Sequence, residues 1–150
     1  MEYLAYISKT DLARKTRQVI KSVQRGQTVI VESHGQPEAA ILDMPDYYLL
    51  LAATRSHALS LEIDPEAGLP EEALLEASAQ ARYDQVIAHY LAGWLSLGRA
   101  AELLELPWAD LRARLSRLGL PILLGPENIS ELQAEMDALT KWEKRQKRRS

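Results

Sequence analysis

From Gly26 to Asp43 the chain reads GQTVIVESHGQPEAAILD, two short β-prone runs on either side of a turn. Thr28–Glu32 and Glu38–Asp43 have strand character, and Ser33-His34-Gly35-Gln36-Pro37 between them supplies glycine where a hairpin loop needs positive φ. The segments around this hairpin are fixed in turn. Tyr3–Ser8 (YLAYIS) is a third apolar, β-prone run. Asp11 to Arg25 is then expected as one helix, capped by Ser8 or Thr10 and closed by Gly26. Leu12, Thr16, Val19, Ile20 and Val23 recur on its one face at the helical period. Pro45 suits the first turn of another helix, PDYYLLLAATR. The order β-α-β-β-α in residues 1–54 leaves apolar surface over, so this unit is expected to form a homodimer or a higher oligomer.

Beyond Arg55 the texture is helical. Residues 55–69 are read as a linker holding a short strand, because Leu59, Leu61 and Ile63 alternate with Ser60, Glu62 and Asp64. A long helix is expected from Glu71 to Ala92, with Ala79, Tyr83, Val86, Ile87, Tyr90 and Leu91 as its apolar stripe. Ser96 caps a shorter helix reaching Leu104, and Trp108 to Leu118 forms another, with Trp108, Leu111, Leu115 and Leu118 toward the core. These two helices have the outline of a helix-turn-helix hairpin, although the turn Glu105-Leu106-Pro107 lacks glycine. The expected class is therefore α+β, with a mainly helical domain over 70–126. A last helix over Glu127–Lys144 and a basic end make up 127–150.

Composition excludes several functions. The 150 residues hold no cysteine, which removes thiol nucleophiles, cysteine-ligated zinc and iron–sulfur clusters. No apolar run approaches the roughly 20 residues of a membrane span, and the first residues lack the layout of a signal peptide. The expectation is a cytoplasmic chain with no membrane partner. His34, His57 and His89 have no metal-ligand spacing, and no hydrolase, phosphate-loop or dinucleotide motif occurs. Neither an enzyme activity nor a metal nor a cofactor is expected.

The formal charge of −3 conceals its distribution. Residues 1–56 carry 7 basic and 6 acidic groups, residues 57–140 carry 5 and 14, and residues 141–150 (KWEKRQKRRS) carry 6 and 1. Such segregation points to different partners for different segments. On the expected first helix Arg14, Arg17, Lys21 and Arg25 fall opposite the apolar stripe, in a row that can follow phosphates and release counterions. In the second half, Arg99, Arg112 and Arg114 are candidates for a second DNA contact. Arg112, Arg114 and Arg117 point in different directions around their helix, which suits a plain helical hairpin as well.

The stretch ISKTDLARKTRQVIKSVQRGQTVIVESHGQPEAAILDMPDYYLL resembles the N-terminal domain of Phd/YefM antitoxins. The likeness lies in its Ser-x-Thr-Asp-Leu opening, valine-rich helix, Val-Ile-Val strand, Gly-x-Pro hairpin and late tyrosine. It implies a dimer that binds operator DNA, with Lys9, Thr10, Arg14 and Arg17 as contacts. The hairpin tip departs from the family in being Glu32-Ser33-His34-Gly35-Gln36 where many members are basic. A second stretch, SLGRAAELLELPWADLRARLSRLGLPI, resembles a small helical family often encoded beside PIN-domain ribonuclease toxins. Together the two likenesses imply an antitoxin that neutralises a toxin, of which a PIN-type nuclease is one class, and represses its own operon. Toxin contact is then expected from Leu132, Met136, Leu139 and Trp142 as an apolar stripe and from Arg145 and Arg148 as cations. The alternative left open is a transcription regulator with no toxin.

Overall fold

The computed structural model describes residues 4–64, 66–123, 141–142 and 144–148. Its architecture is α+β, a three-stranded sheet followed by helices. The sheet has the order β1 (Leu4–Ser8), β2 (Thr28–Ser33), β3 (Gln36–Ile41), with β1 parallel and β3 antiparallel to β2. The hairpin is tighter than expected. Gln36 and Pro37 belong to β3, and the turn is only His34-Gly35, with φ of 54° and 74°. Two successive positive φ angles define the turn whose twist matches paired strands. Pro37 is accommodated because β3 is an edge strand.

Between β1 and β2 the chain forms two helices, α1 (Lys9–Arg14) and α2 (Thr16–Gln24), where the periodicity suggested one. Ser8 caps α1, its Oγ accepting from the Asp11 amide at 3.1 Å. At the break Thr16 Oγ1 donates back to the Leu12 carbonyl at 2.8 Å, a side-chain bond that competes with the backbone and bends helices. Val19 and Val23 of α2 are buried against Val29, with Ala5, Ile7, Leu12 and Ile41 around them. Ile20, expected on the same face, is 45% exposed.

The expected strand around Leu59–Ile63 does not exist. Residues to Ser60 continue α3 (Met44–Ser60), so the alternation of Leu59 and Leu61 with polar neighbours falls across a helix end. Asp43 caps α3 through its Oδ1, 3.0 Å from the Asp46 amide. Leu49 and Ala52 of α3 enter a second core built by α5 (Ala79–Leu91), α6 (Leu97–Leu103) and α7 (Trp108–Arg117). The helix expected from Glu71 to Ala92 is likewise divided. A short α4 (Glu71–Glu76) ends before Ser78, whose hydroxyl caps α5 by accepting from the Ala81 amide.

Tyr83, Val86, Ile87 and Tyr90 of α5 are buried against Leu97, Ala100 and Ala101 of α6 and Leu111 and Leu115 of α7. Ala101, 2% exposed, allows close approach of the helices. In the turn after α6 a non-glycine residue, Glu105, takes φ 57°, which answers the missing glycine at the cost of some strain. Tyr90 Oη donates to the Pro121 carbonyl at 2.9 Å and accepts from the Leu123 amide at 2.8 Å, tying the chain after α7 to α5. No helix among the described residues is long and apolar enough to cross a membrane.

Candidate nucleic-acid interface

Because Val19 and Val23 face the sheet, the opposite side of α2 is turned to solvent. Arg17, Lys21 and Arg25 follow one another at four-residue intervals and are all exposed. Successive positions of that kind drift by about 40° around a helix, so the three form one slanting row. Arg14 ends α1 just before it, and Lys15 sits at the break; both are exposed. None of Arg14, Lys15, Arg17, Lys21 and Arg25 forms an ion pair with another described residue. Unpaired surface cations in a row hold loosely bound counterions, and exchanging these for phosphates is entropically favourable. Lys9 differs, because its Nζ lies 2.6 Å from Glu38 of β3. Thr10 is exposed in the first turn of α1.

The other face of the sheet carries a second surface. The register aligns Tyr6 with Ile30 and Ile30 with Ala40, a row across all three strands. Tyr6 is 59% and Leu4 51% exposed. An apolar row on a sheet face that no described residue covers is a surface suited to burial against another chain.

The second set of expected DNA contacts is placed differently. Arg114 is buried inside the molecule, where its Nη1 lies 2.8 Å from both carboxylate oxygens of Asp43 and from Asp46 Oδ1, and its Nε lies 2.9 Å from Asp110. Burial opposes its charge, and the hydrogen bonds to Asp110, Asp43 and Asp46 outweigh that, holding its pKa above the ordinary value. Arg114 is thus buried, with Nη1 and Nε committed to three aspartates, and is corrected from a DNA contact to a structural cation. Arg117 reaches the same cluster, its Nη2 3.4 Å from Asp46. The sequence contained a signal for this: Arg114 shares the stripe of Leu111, Leu115 and Leu118, and a cation within an apolar stripe needs buried counter-charges.

Arg99 is half-exposed but committed to Glu71 and Glu102, and those bonds hold its pKa above the usual range. Arg112 lies on the outer side of α7, 5.4 Å from the ring centre of Trp108. Trp108, read as a core residue, is 48% exposed. Thus α6 and α7 form the expected hairpin, yet of its three candidate cations only Arg112 has no ion pair among the described residues.

Of the residues expected to meet a toxin, Leu132, Met136 and Leu139 lie outside the described residues. Trp142, Arg145 and Arg148 are helical and exposed. Among the described residues no three histidine, aspartate or glutamate side chains come together as a metal site. Searches against protein-family models, curated proteins and solved structures found no match to this chain.

Proposed function

We propose that the chain is the antitoxin of a type II toxin–antitoxin pair, with its sheet unit as a DNA-binding dimer and its helical part and C-terminal segment as the toxin-binding region. The observation that carries this reading is the exposed, unpaired row Arg14, Arg17, Lys21 and Arg25 on helices whose other face is anchored on a small sheet. The order of strands and helices up to α3 supports a Phd/YefM-like unit. Pairing of two sheets through Leu4, Tyr6, Ile30 and Ala40 would bring two cationic rows into one particle, as a two-fold operator requires. Lys9 and Thr10 extend the row at the start of α1, with Lys9 exchanging Glu38 for a phosphate on binding.

The acidic helical part supports a protein partner more than a second DNA surface, since Arg114 is enclosed and Arg99 is neutralised by two glutamates. In this reading Leu132, Met136, Leu139 and Trp142 bury against the toxin and Arg145 and Arg148 meet its acidic groups. A PIN-type nuclease, with its carboxylate metal site, fits those cations. The test is co-purification with the product of the adjacent reading frame, using the full chain and the chain ending at residue 126. Retention by the full chain and loss by the shorter one is expected. Equal retention would reject the C-terminal contact, and failure of both would reject the antitoxin reading for that pair.

A further inference from the structure

A cavity of about 360 Å³ opens where the chain leaves α3 and meets α5. Leu59, Ile63 and Pro70 give it apolar walls, and Glu62 and Asp64 line it with no lysine or arginine beside them among the described residues. Neither carboxylate has an ion pair among the described residues; Asp64 Oδ1 accepts from the Glu66 amide at 3.0 Å. His89 completes the wall. It is 5% exposed, and its Nδ1 lies 2.7 Å from the Gln85 carbonyl. A carbonyl only accepts, so Nδ1 carries the proton and Nε2 of the neutral ring is left as an acceptor. Nε2 has no hydrogen-bond partner among the described residues. Gln80 Oε1 is the one water-inaccessible side-chain atom without a partner among those residues, so Nε2 is reached from the cavity. Among the described residues these groups do not converge as metal ligands. Two carboxylates and an imidazole nitrogen beside an apolar wall suit a cation that brings its own donors and an aliphatic stem.

We propose that this cavity receives an arginine side chain of a partner protein. A guanidinium presents five donors in one plane, more than Glu62, Asp64 and His89 Nε2 require, and its methylene stem lies along Leu59 and Ile63. The volume falls near the lower end, roughly 300 Å³, of ligand sites, which suits one long side chain and its flanks. The rim assigns the cation to a protein and not to a free small molecule. Leu61, 76% exposed, precedes Glu62 in the chain, and Trp94, 58% exposed, lines a neighbouring cavity that has Ile63, Asp64 and His89 in its own wall. A free cation leaves both apolar side chains in water, whereas a polypeptide carrying the arginine covers them, and an exposed tryptophan beside a charged pocket has the composition of an interface centre. The site rests on the helical part being a protein-binding region and adds one group of that partner, its arginine.

NMR of the histidine rings in the full chain, at about pH 8 and about 50 mM salt, tests this with the probe acetyl-Leu-Arg-Leu-amide. His34→Asn and His57→Asn, both at exposed positions, identify the His89 signal by elimination. Saturable movement of that signal is expected. Replacing the arginine of the probe by citrulline, which keeps the shape and removes the charge, should weaken binding at least about fivefold, as should Glu62→Gln with Asp64→Asn in the chain. Acetyl-arginine-amide should bind at least about threefold more weakly than the tripeptide. No saturable movement at low salt overturns the proposal. So does equal affinity of the citrulline probe, or of the double variant once circular dichroism shows it folded. Equal affinity of acetyl-arginine-amide overturns the assignment to a partner protein and makes this a site for a free cation. With neither toxin nor DNA in the sample, the antitoxin reading survives any of these results, and failure of toxin capture leaves this site standing.

Discussion

Arg114 and Asp46 lie 68 positions apart in sequence and meet inside the molecule, Nη1 to Oδ1 at 2.8 Å, both nearly inaccessible to water. Asp43 completes the contact from the cap of α3. The pair therefore fixes α7 against the helix that follows the hairpin. Arg114→Met should leave two buried carboxylates short of a counter-charge and lower stability by about 3–5 kcal/mol. Urea unfolding followed by circular dichroism should show a lower midpoint with an unchanged slope; an unmoved midpoint would mean the cluster is energetically idle.

Gly26 stands where α2 gives way to β2, with φ 103°, and a Cβ there would lie 3.1 Å from Arg117 Nη1. Gly26→Ala combines an unfavourable backbone angle with a push on the ion cluster. A loss of about 1–2 kcal/mol is expected, read as a fall in Tm. Gly35→Ala has the same backbone problem but no neighbour within 4 Å, so its loss should be the smaller of the two.

Burial pushes the Tyr83 phenol up to about 12, and burial also raises Tyr90. The folded state keeps the Tyr83 proton after the unfolded chain has begun to release it near pH 10. Stability from this group is full below about pH 10 and is lost as pH rises toward 12, by an amount on the order of 2 kcal/mol. Tyr83→Phe should flatten the fall in stability over that window, measured by urea unfolding at stepped alkaline pH. An equally steep fall would assign it to other groups.

The elements governed by local chemistry were legible in the sequence. Ser8 and Ser96 cap helices because a short oxygen-bearing side chain precedes each helical run, and Gly35 turns the hairpin, whereas Asp43, read as the end of a strand, is the cap of α3. Two boundaries were hidden by side-chain competition: Thr16 bonds back into α1, and Ser78 restarts the helix after α4. The strand expected at Leu59–Ile63 failed because a two-residue alternation across a helix end imitates a strand. The row Arg17, Lys21 and Arg25 could be read from spacing alone. The place of Arg114 in the stripe of Leu111 and Leu115 signals a buried cation, but its partners Asp43 and Asp46 are brought to it by tertiary folding.

Tyr6 lies beside Ile30 on the sheet face that no described residue covers. Tyr6→Glu should place a charge in the proposed dimer contact and shift the chain toward monomer, seen by sedimentation at micromolar concentration. Since Tyr6 is exposed, the substitution should change the unfolding free energy of the monomer by no more than about 0.5 kcal/mol. The same mass for both proteins would exclude this face as the contact.

The central claim, that the α1–α2 cations grip DNA, is tested most directly by the salt dependence of binding to the chain's own promoter. The logarithm of affinity should fall linearly with the logarithm of salt concentration, by about 0.9 for each phosphate engaged. Arg14→Ala, Arg17→Ala and Lys21→Ala together should lower affinity and make that slope shallower in proportion to the phosphate contacts removed. An unchanged slope in the folded triple variant, or no binding by the parent chain at low salt, would contradict the claim.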